Sequence, residues 1–295
     1  MPARDRLQTT GVWVGLDGQP ASEAIESVQR IAALGYSTVW FPETVGRDPF
    51  ALIGNLAAQT SELVFATGIA NIWNRHPGVM KQAAMALHEL TGGRFVLGIG
   101  VSHAPLVEGL RKIEYTKPLS QMKTYLEAMA ASPYGGPKPA DGSQPLTVLA
   151  ALGPKMLALS AQETDGAHPY WTTPEHTAQA REIMGPDALL CVEQKVVLST
   201  DASAARAAGA EQLAYYKSLP NYRNNWKRLG FTEDQIENDE PAFVDAVVAW
   251  GDADAIGNRV KAHYDAGATH VCIQPVSTAG FGKVDWNALE ALAPS

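Results

Sequence analysis

Cysteine and long apolar stretches are both scarce in this sequence. Its 295 residues include two cysteines, Cys191 and Cys272, and each lies in an apolar, strand-like segment. We therefore expect buried, reduced thiols in a cytoplasmic protein and no disulfide framework. No run of about 18 apolar residues occurs, so no membrane span is expected. Residues 1–11 also lack the apolar run of a secretory leader.

Positive charge is limited as well. The chain has 23 lysines and arginines against 31 aspartates and glutamates, which gives a formal net charge of −8. Nucleic acid is therefore not expected as a partner, because proteins that bind it present a basic surface. The hydrophobic fraction of 46% is sufficient for a core, so the composition predicts an ordinary globular protein.

Several catalytic signatures are missing. The sequence has no G-x-S-x-G nucleophile elbow and no Walker A motif, and the first strand-to-helix turn, Gly15-Leu16-Asp17-Gly18, lacks the G-x-G-x-x-G dinucleotide fingerprint. No histidine stands in a cluster with metal-ligand spacing, so no metal site is predicted. The histidines are scattered at positions 76, 88, 103, 168, 176, 263 and 270.

Eight β-rich runs alternate with helical patterns along the chain. This alternation predicts an α/β protein with a parallel sheet, and the count of eight favours a closed (β/α)8 TIM barrel over an open sheet. One barrel domain over residues 1–295 is expected, with insertions near 103–145 and 216–250. The Pro- and Gly-rich stretch 132–145 is interpreted as a helix-to-strand connection, and residues 243–250 as an apolar helix. The predicted strands are 12–16, 38–41, 63–69, 95–100, 146–151, 166–170, 189–198 and 270–274.

Active sites of such barrels lie at the carboxyl ends of the strands, which selects candidates without an alignment. Gly153-Pro154-Lys155-Met156 follows the fifth strand and could offer helix N-terminal N–H groups and a lysine charge to a phosphate. The alternative is a plain helix start with a solvated lysine. Thr172 and Thr173 follow the sixth strand, where their hydroxyls could contact a phosphate or simply cap a helix.

Two further strand-end groups are candidates for proton transfer or cofactor contact. His103 follows Gly98-Ile99-Gly100, whose glycines allow close approach to the backbone. Its alternative is a surface loop histidine. Glu43 ends the second strand at the barrel rim, and its alternative is a rim salt bridge.

At the level of motifs, the chain resembles the luciferase-like flavin and deazaflavin oxidoreductases, and within them the branch that uses coenzyme F420. The resemblance extends from Gly11 to about Val276. It rests on ALGYSTVWFPE at 33–43, ATGIANIWNRHP at 66–77, GRFVLGIG at 93–100, the GPKM segment through 153–167, and DAGA at 265–268.

The resemblance implies a TIM barrel in which a cis non-proline bond, here Gly68–Ile69, supports the central ring of the cofactor. Family phosphate contacts match Leu152, Gly153, Pro154 and Met156. Together with strand-end position, this predicts a set of cofactor-binding residues: Glu43, Gly68, Ile69, Asn71, Gly100, Ser102, Leu152, Gly153, Pro154, Lys155, Met156, Thr172 and Thr173.

The implied reaction is hydride transfer between C5 of the deazaflavin and a small organic substrate. His103, where some relatives carry a glutamate, is the predicted proton-transfer residue, and Glu43 the second predicted catalytic group. Thr44 stands where some relatives have a catalytic histidine. The predicted walls of the substrate pocket are Trp40, Trp73 and Tyr170, whose alternative role is packing.

Other interpretations stay open at this point. The same barrel could be an FMN-dependent luciferase-like monooxygenase, or a barrel that binds a cofactor without catalysis. Residues 216–250 could form a lid, a homodimer contact or a solvated insertion that packs its aromatics on the barrel. An anionic cofactor on a chain of negative net charge requires local positive charge. The expected sources are Arg75, His76, Lys81, Lys155, Arg111 and Lys112.

Overall fold

The computed structural model describes residues 3–7, 9–139, 141–280 and 282–294. Within them, ten parallel strands form one sheet. Their bounds are β1 Gly11–Trp13, β2 Thr38–Phe41, β3 Val64–Thr67, β4 Ala70–Asn71, β5 Phe95–Gly100, β6 Leu146–Leu149, β7 Gly166–Ala167, β8 Leu189–Leu198, β9 Val248–Gly251 and β10 His270–Pro275.

Helices follow most strands and cover the outside of the sheet. Several begin with a capping side chain followed by proline, as where Asp48 accepts hydrogen bonds from the N–H groups of Phe50 and Ala51. The helices are α1 Ala3–Arg6, α2 Ala21–Ala33, α3 Pro49–Ala57, α4 Pro77–Leu90, α5 Pro118–Ala131, α6 Pro154–Glu163, α7 Pro174–Met184, α8 Ala202–Lys217, α9 Pro220–Arg228, α10 Glu233–Glu237, α11 Pro241–Val247, α12 Ala253–Asp265 and α13 Trp286–Ala291.

The sheet closes into a barrel because its last strand pairs on both sides. β10 pairs with β1, where Gly11 lies opposite Cys272, and with β8, where His270 lies opposite Cys191. The closed ring contains β1, β2, β3, β5, β6, β7, β8 and β10. The predicted (β/α)8 TIM barrel is therefore confirmed, while the assignment of residues 1–295 to one domain stays a prediction.

The third predicted strand, 63–69, is interrupted. β3 and β4 are separated by Gly68 and Ile69, and the peptide bond between these two residues is cis, as predicted. At this point the Thr67 hydroxyl donates to the Gly98 carbonyl at 2.7 Å and accepts from the Gly98 N–H at 2.9 Å. A side chain thus replaces part of the regular backbone ladder between β3 and β5.

The region 216–250 departs from its predicted structure at one end. The apolar helix expected over 243–250 ends at Val247, and β9 begins at Val248. Lys195 lies opposite Val248 in the parallel pairing of β8 with β9. Because β-branched and aromatic residues suit a pleated surface, a short apolar run can serve as a strand once an open edge is beside it.

The barrel interior is aromatic and partly polar. Trp40 is completely buried and stacks on His168, with ring centroids 4.3 Å apart. Its indole Nε1 donates to Nε2 of His270 at 3.1 Å. Trp40 therefore points into the barrel interior and is not part of the wall of the cavity at the strand ends, where the sequence predicted it as a substrate-pocket wall.

Both cysteines are buried and free. In the described part of the chain, no helix has the length and apolarity needed to cross a bilayer.

Candidate active site

A cavity of about 500 Å³ opens at the carboxyl ends of the barrel strands. Its wall takes residues from the ends of β1, β2, β3, β5, β6 and β7 and from α8 and α9. Nine of the predicted site residues line it: Glu43, Gly68, Ile69, Ser102, His103, Leu152, Gly153, Met156 and Tyr170.

The floor of the cavity is built around Gly68. The indole Nε1 of Trp13 donates to the Gly68 carbonyl at 2.9 Å. A Cβ at position 68 would lie 2.7 Å from that nitrogen and 3.2 Å from Nε2 of His168. Only a residue without a side chain therefore fits between these two rings.

Two predicted cofactor contacts on the neighbouring strands lie behind this floor. The space beside Gly100 is filled by Ile69, whose Cδ1 would be 2.6 Å from a Cβ there. Gly100 therefore makes room for the β3–β4 bulge of the same chain, and not for a ligand. Asn71 is 1% exposed and its Oδ1 accepts from the Trp73 N–H at 3.0 Å. Gly100 and Asn71 support the floor from outside the cavity.

Glu43 lines the cavity and is held in an ion pair. Its carboxylate lies 2.7 Å from Nη1 of Arg75, and one of its oxygens accepts from the Asn71 N–H at 2.7 Å. Arg75 also pairs with Asp48. This arrangement matches the salt-bridge alternative and makes Glu43 a fixed anion at the rim, so its predicted catalytic role gains no geometric support.

His103 is half-buried and faces the cavity beside Tyr222, with ring centroids 5.5 Å apart. Burial lowers the pKa of His103 to about 4. The imidazole is therefore neutral at physiological pH, where it can accept a proton from one group and return it. Thr44 and Ser102 line the same cavity.

The other end of the cavity has the character of an anion site. Gly153 is the residue before α6 and gives the helix no side-chain cap. Pro154 has no N–H and the Met156 N–H donates to the Gly153 carbonyl at 3.1 Å, which leaves the Lys155 N–H of the first turn for a ligand. Leu152 is fixed by Nε2 of His176, which donates to its carbonyl at 2.9 Å. The guanidinium of Arg228 approaches from α9, with Nη2 3.5 Å from the position of a Cβ on Gly153.

The positive charge at this end comes from a residue that the sequence prediction missed. Arg228 is exposed and lines the cavity, whereas Lys155 and Pro154 lie outside its lining. Arg228 donates to Oδ1 of Asn225 at 3.1 Å and makes no salt bridge with any described residue. Burial lowers its pKa, so an anionic ligand would relieve an unpaired charge.

The predicted threonines after the sixth strand also lie outside the lining. Thr173 caps α7, where its Oγ1 accepts from the His176 N–H at 3.4 Å. Thr172 is 1% exposed, and its hydroxyl has no partner among the described residues. Thr173 therefore caps a helix, which is the alternative that the sequence left open.

Aromatic side chains from α8 and α9 cover the cavity. Tyr216 and Tyr222 pack edge to face at 5.0 Å, and both contact Tyr170 on the barrel side. The Tyr170 hydroxyl donates to Oε1 of Gln274 at 2.8 Å. The region 216–250 thus contributes a wall of the site. The mixture of tyrosine, tryptophan and basic residues around Tyr222 was the available signal.

Trp73 does not line the cavity. Its Nε1 donates to the Val101 carbonyl at 2.9 Å, and its ring packs on Tyr115, which takes the wall position instead. Several expected cations donate to backbone carbonyls instead, as Arg111 does to Thr44 and Lys112 does to Gly109. Lys81 donates to the carbonyls of Ala130 and Ser132.

No group of three or more potential metal ligands occurs within residues 3–7, 9–139, 141–280 and 282–294.

Comparison with known proteins assigns this chain to a family. The family described as luciferase-like monooxygenase matches residues 6–270. The chain belongs to the luciferase-like monooxygenase family. The predicted superfamily resemblance is confirmed.

Among curated relatives of this luciferase-like protein is a Mycobacterium tuberculosis protein named as a coenzyme F420-dependent oxidoreductase. The two are 26% identical over 89% of this chain and 94% of the relative. A 5,10-methylenetetrahydromethanopterin reductase of Methanolobus tindarius is 26% identical over 61% of this chain and 62% of that protein.

Solved structures share the barrel at low sequence identity. An F420-dependent secondary alcohol dehydrogenase in complex with an F420–acetone adduct has a TM-score of 0.77 and 15% identity, covering 99% of this chain and 98% of its own. The oxygenating constituent of 3,6-diketocamphane monooxygenase from Pseudomonas putida, in complex with FMN, has a TM-score of 0.74 and 14% identity, covering 97% and 96%. These likenesses show the fold.

Proposed function

We propose that this luciferase-like protein is an F420-dependent oxidoreductase that transfers a hydride between C5 of the deazaflavin and a small organic substrate. The Mycobacterium tuberculosis relative, named as an F420-dependent oxidoreductase and aligned over most of both chains, supports the cofactor class. The observation that carries the proposal is one cavity that joins an aromatic, apolar chamber to an anion site at Gly153 and Arg228.

The residues of the cavity fit such a cofactor. An unpaired guanidinium over the start of a helix suits a phosphate, which takes both charge and N–H hydrogen bonds. The floor at Gly68 and Ile69 presents backbone and an aliphatic side chain to a flat ring, and the recess beside Gly68 would be lost with any Cβ. Met156 and Leu152 also line the cavity.

When bound, F420 supplies a two-electron carrier that exchanges hydride at one carbon. The chain's part is to move the accompanying proton and to exclude water. His103, neutral because burial lowers its pKa to about 4, accepts a proton from a substrate hydroxyl during oxidation and returns it during reduction. The tyrosines of α8 and α9 close the chamber over the substrate. Tyr170 supplies a hydroxyl already oriented by Gln274.

Equilibrium binding of F420 and of FMN, followed by tryptophan fluorescence, tests this proposal. Trp13 lines the cavity, so its emission reports a ring placed on Gly68. We expect saturable quenching by F420 at lower concentration than by FMN. Tight FMN binding without F420 binding would instead support a flavin monooxygenase on the same barrel. Binding without turnover of any alcohol or carbonyl compound would favour a non-catalytic barrel.

A further inference from the structure

His168 is a buried histidine at the cavity floor that the proposed reaction does not use. It follows β7, is 2% exposed and lines the cavity beside Gly68. Its Nδ1 lies 2.8 Å from the Cys191 carbonyl oxygen. Its Nε2 is buried and has no hydrogen-bond partner among the described residues.

The hydrogen bond to Cys191 determines which ring nitrogen carries the proton. A carbonyl oxygen only accepts, so Nδ1 must be the donor. Burial lowers the pKa of His168 to about 4, so the ring has a single proton at neutral pH. Nε2 therefore presents a bare lone pair, which makes it an obligate acceptor.

The ring cannot turn this lone pair away from the floor. His168 is stacked on Trp40 with an interplanar angle of 11°. Nε2 lies 3.2 Å from the position of a Cβ on Gly68, so it faces the recess beside that glycine. The nearby donor, Nε1 of Trp13, already donates to the Gly68 carbonyl. A buried acceptor without a partner destabilises the fold unless a bound molecule satisfies it.

We propose that His168 Nε2 accepts a hydrogen bond from the imide N–H of the pyrimidinedione ring of the bound cofactor. This rests on the proposed function as far as a flavin-type ring occupies the cavity. The oxidised ring system of a flavin has one ring N–H, the imide nitrogen between two carbonyls, and a deazaflavin retains it. His168 is accordingly a positioning residue that fixes how the ring lies on Gly68 and Ile69.

The test compares each cofactor with its N3-methyl derivative, which lacks the donor. The probes are F420 and N3-methyl-F420, with FMN and 3-methyl-FMN as a second pair. In wild type, methylation is expected to weaken binding about tenfold, because the buried acceptor then has no partner. In His168→Phe, a ring remains stacked on Trp40 but the acceptor is gone. Methylation should then weaken binding less, by the steric effect of the added methyl group alone.

A matched control is His270→Phe. His270 is equally buried, but both of its ring nitrogens are engaged, by the Thr9 carbonyl at 2.7 Å and by Trp40 at 3.1 Å. It should leave the methylation penalty at its wild-type value. A second readout uses wild type alone, so that it does not depend on whether the variants fold. The ¹⁵N resonance of His168 Nε2 should shift upfield with the parent cofactor and not with the methylated one.

The outcomes separate this inference from the proposed function. If neither cofactor pair binds wild type, both are overturned. If a cofactor binds but N3-methylation costs the same in wild type and His168→Phe, or the Nε2 resonance does not move, only the role of His168 is overturned. A reduced penalty in the variant, together with the resonance shift, supports it.

Discussion

Replacing Arg228 by glutamine removes the one positive charge that the described structure places beside Gly153 in the cavity. Arg228 is exposed to solvent, and its guanidinium lies 3.5 Å from the Cβ position of Gly153 and contacts Asn225. Glutamine keeps a polar amide but has a shorter side chain, so the change removes the charge together with the guanidinium's contact. The affinity for any ligand that places a phosphate at the start of α6 should fall.

The size of the loss follows from two estimates. Unit charges about 4 Å apart attract by about 4 kcal/mol at an effective dielectric constant of 20. Hydrogen bonds to charged groups contribute a net 1.5–3 kcal/mol or so once desolvation is included. Because Arg228 is partly open to solvent, we take about 2 kcal/mol, which corresponds to about a 30-fold rise in the dissociation constant.

The assay is a fluorescence titration with two ligands for each variant. F420 and its form lacking the phosphate differ at the group that Arg228 is expected to contact. The 30-fold loss should appear with the phosphorylated ligand and vanish with the other. Lys155→Gln is the matched control, because it removes a positive charge from the same helix end but outside the cavity. An equal loss for both ligands, or an equal effect of Lys155→Gln, would refute the reasoning.

Three further predictions concern proton transfer, packing and pH. His103→Gln should leave the F420 dissociation constant unchanged and lower kcat by about 10²–10⁴-fold; unchanged turnover removes His103 from the mechanism. Gly68→Ala forces a Cβ to 2.7 Å from Trp13 Nε1 and should lower the unfolding free energy by about 1–3 kcal/mol. By contrast Gly257→Ala, in α12 with open space around it, should raise it in the same urea titration. Burial lowers the pKa values of His168 and His270 to about 4 and that of His263 to about 3, so the unfolded chain takes up protons below pH 6.5 before the folded chain does. Stability should therefore fall between pH 6.5 and 4, by about 2 kcal/mol at pH 5 for a histidine of folded pKa 4. Equal urea midpoints at pH 7.5 and 5 would contradict this.

Much of the fold could be predicted because it depends on local patterns. Apolar runs of four to ten residues separated by capped helices indicate a parallel barrel whatever the details of packing. The same rule, that strand ends meet at one face, brought His103, Gly68 and Gly153 into one cavity. The cis bond at Gly68–Ile69 came from the family resemblance.

The errors concern contacts between residues far apart in the chain. Thr172 was selected by its position at a strand end and Trp40 as an aromatic residue of the second strand. Which side of the wall a side chain occupies depends on neighbours that no local pattern reveals. Arg228 comes 75 positions after Gly153 in the chain, so its role could not be read from the sequence around either residue. Val248–Gly251 forms a strand because β8 extends far enough to pair with it.

A crystal structure of the F420 complex tests the central claim most directly. The phosphate is predicted to lie within hydrogen-bond distance of Arg228 and the first turn of α6, with the deazaflavin ring on Gly68 and Ile69 and one face open toward His103. A complex with the phosphate elsewhere, or with the ring outside this cavity, would contradict the account.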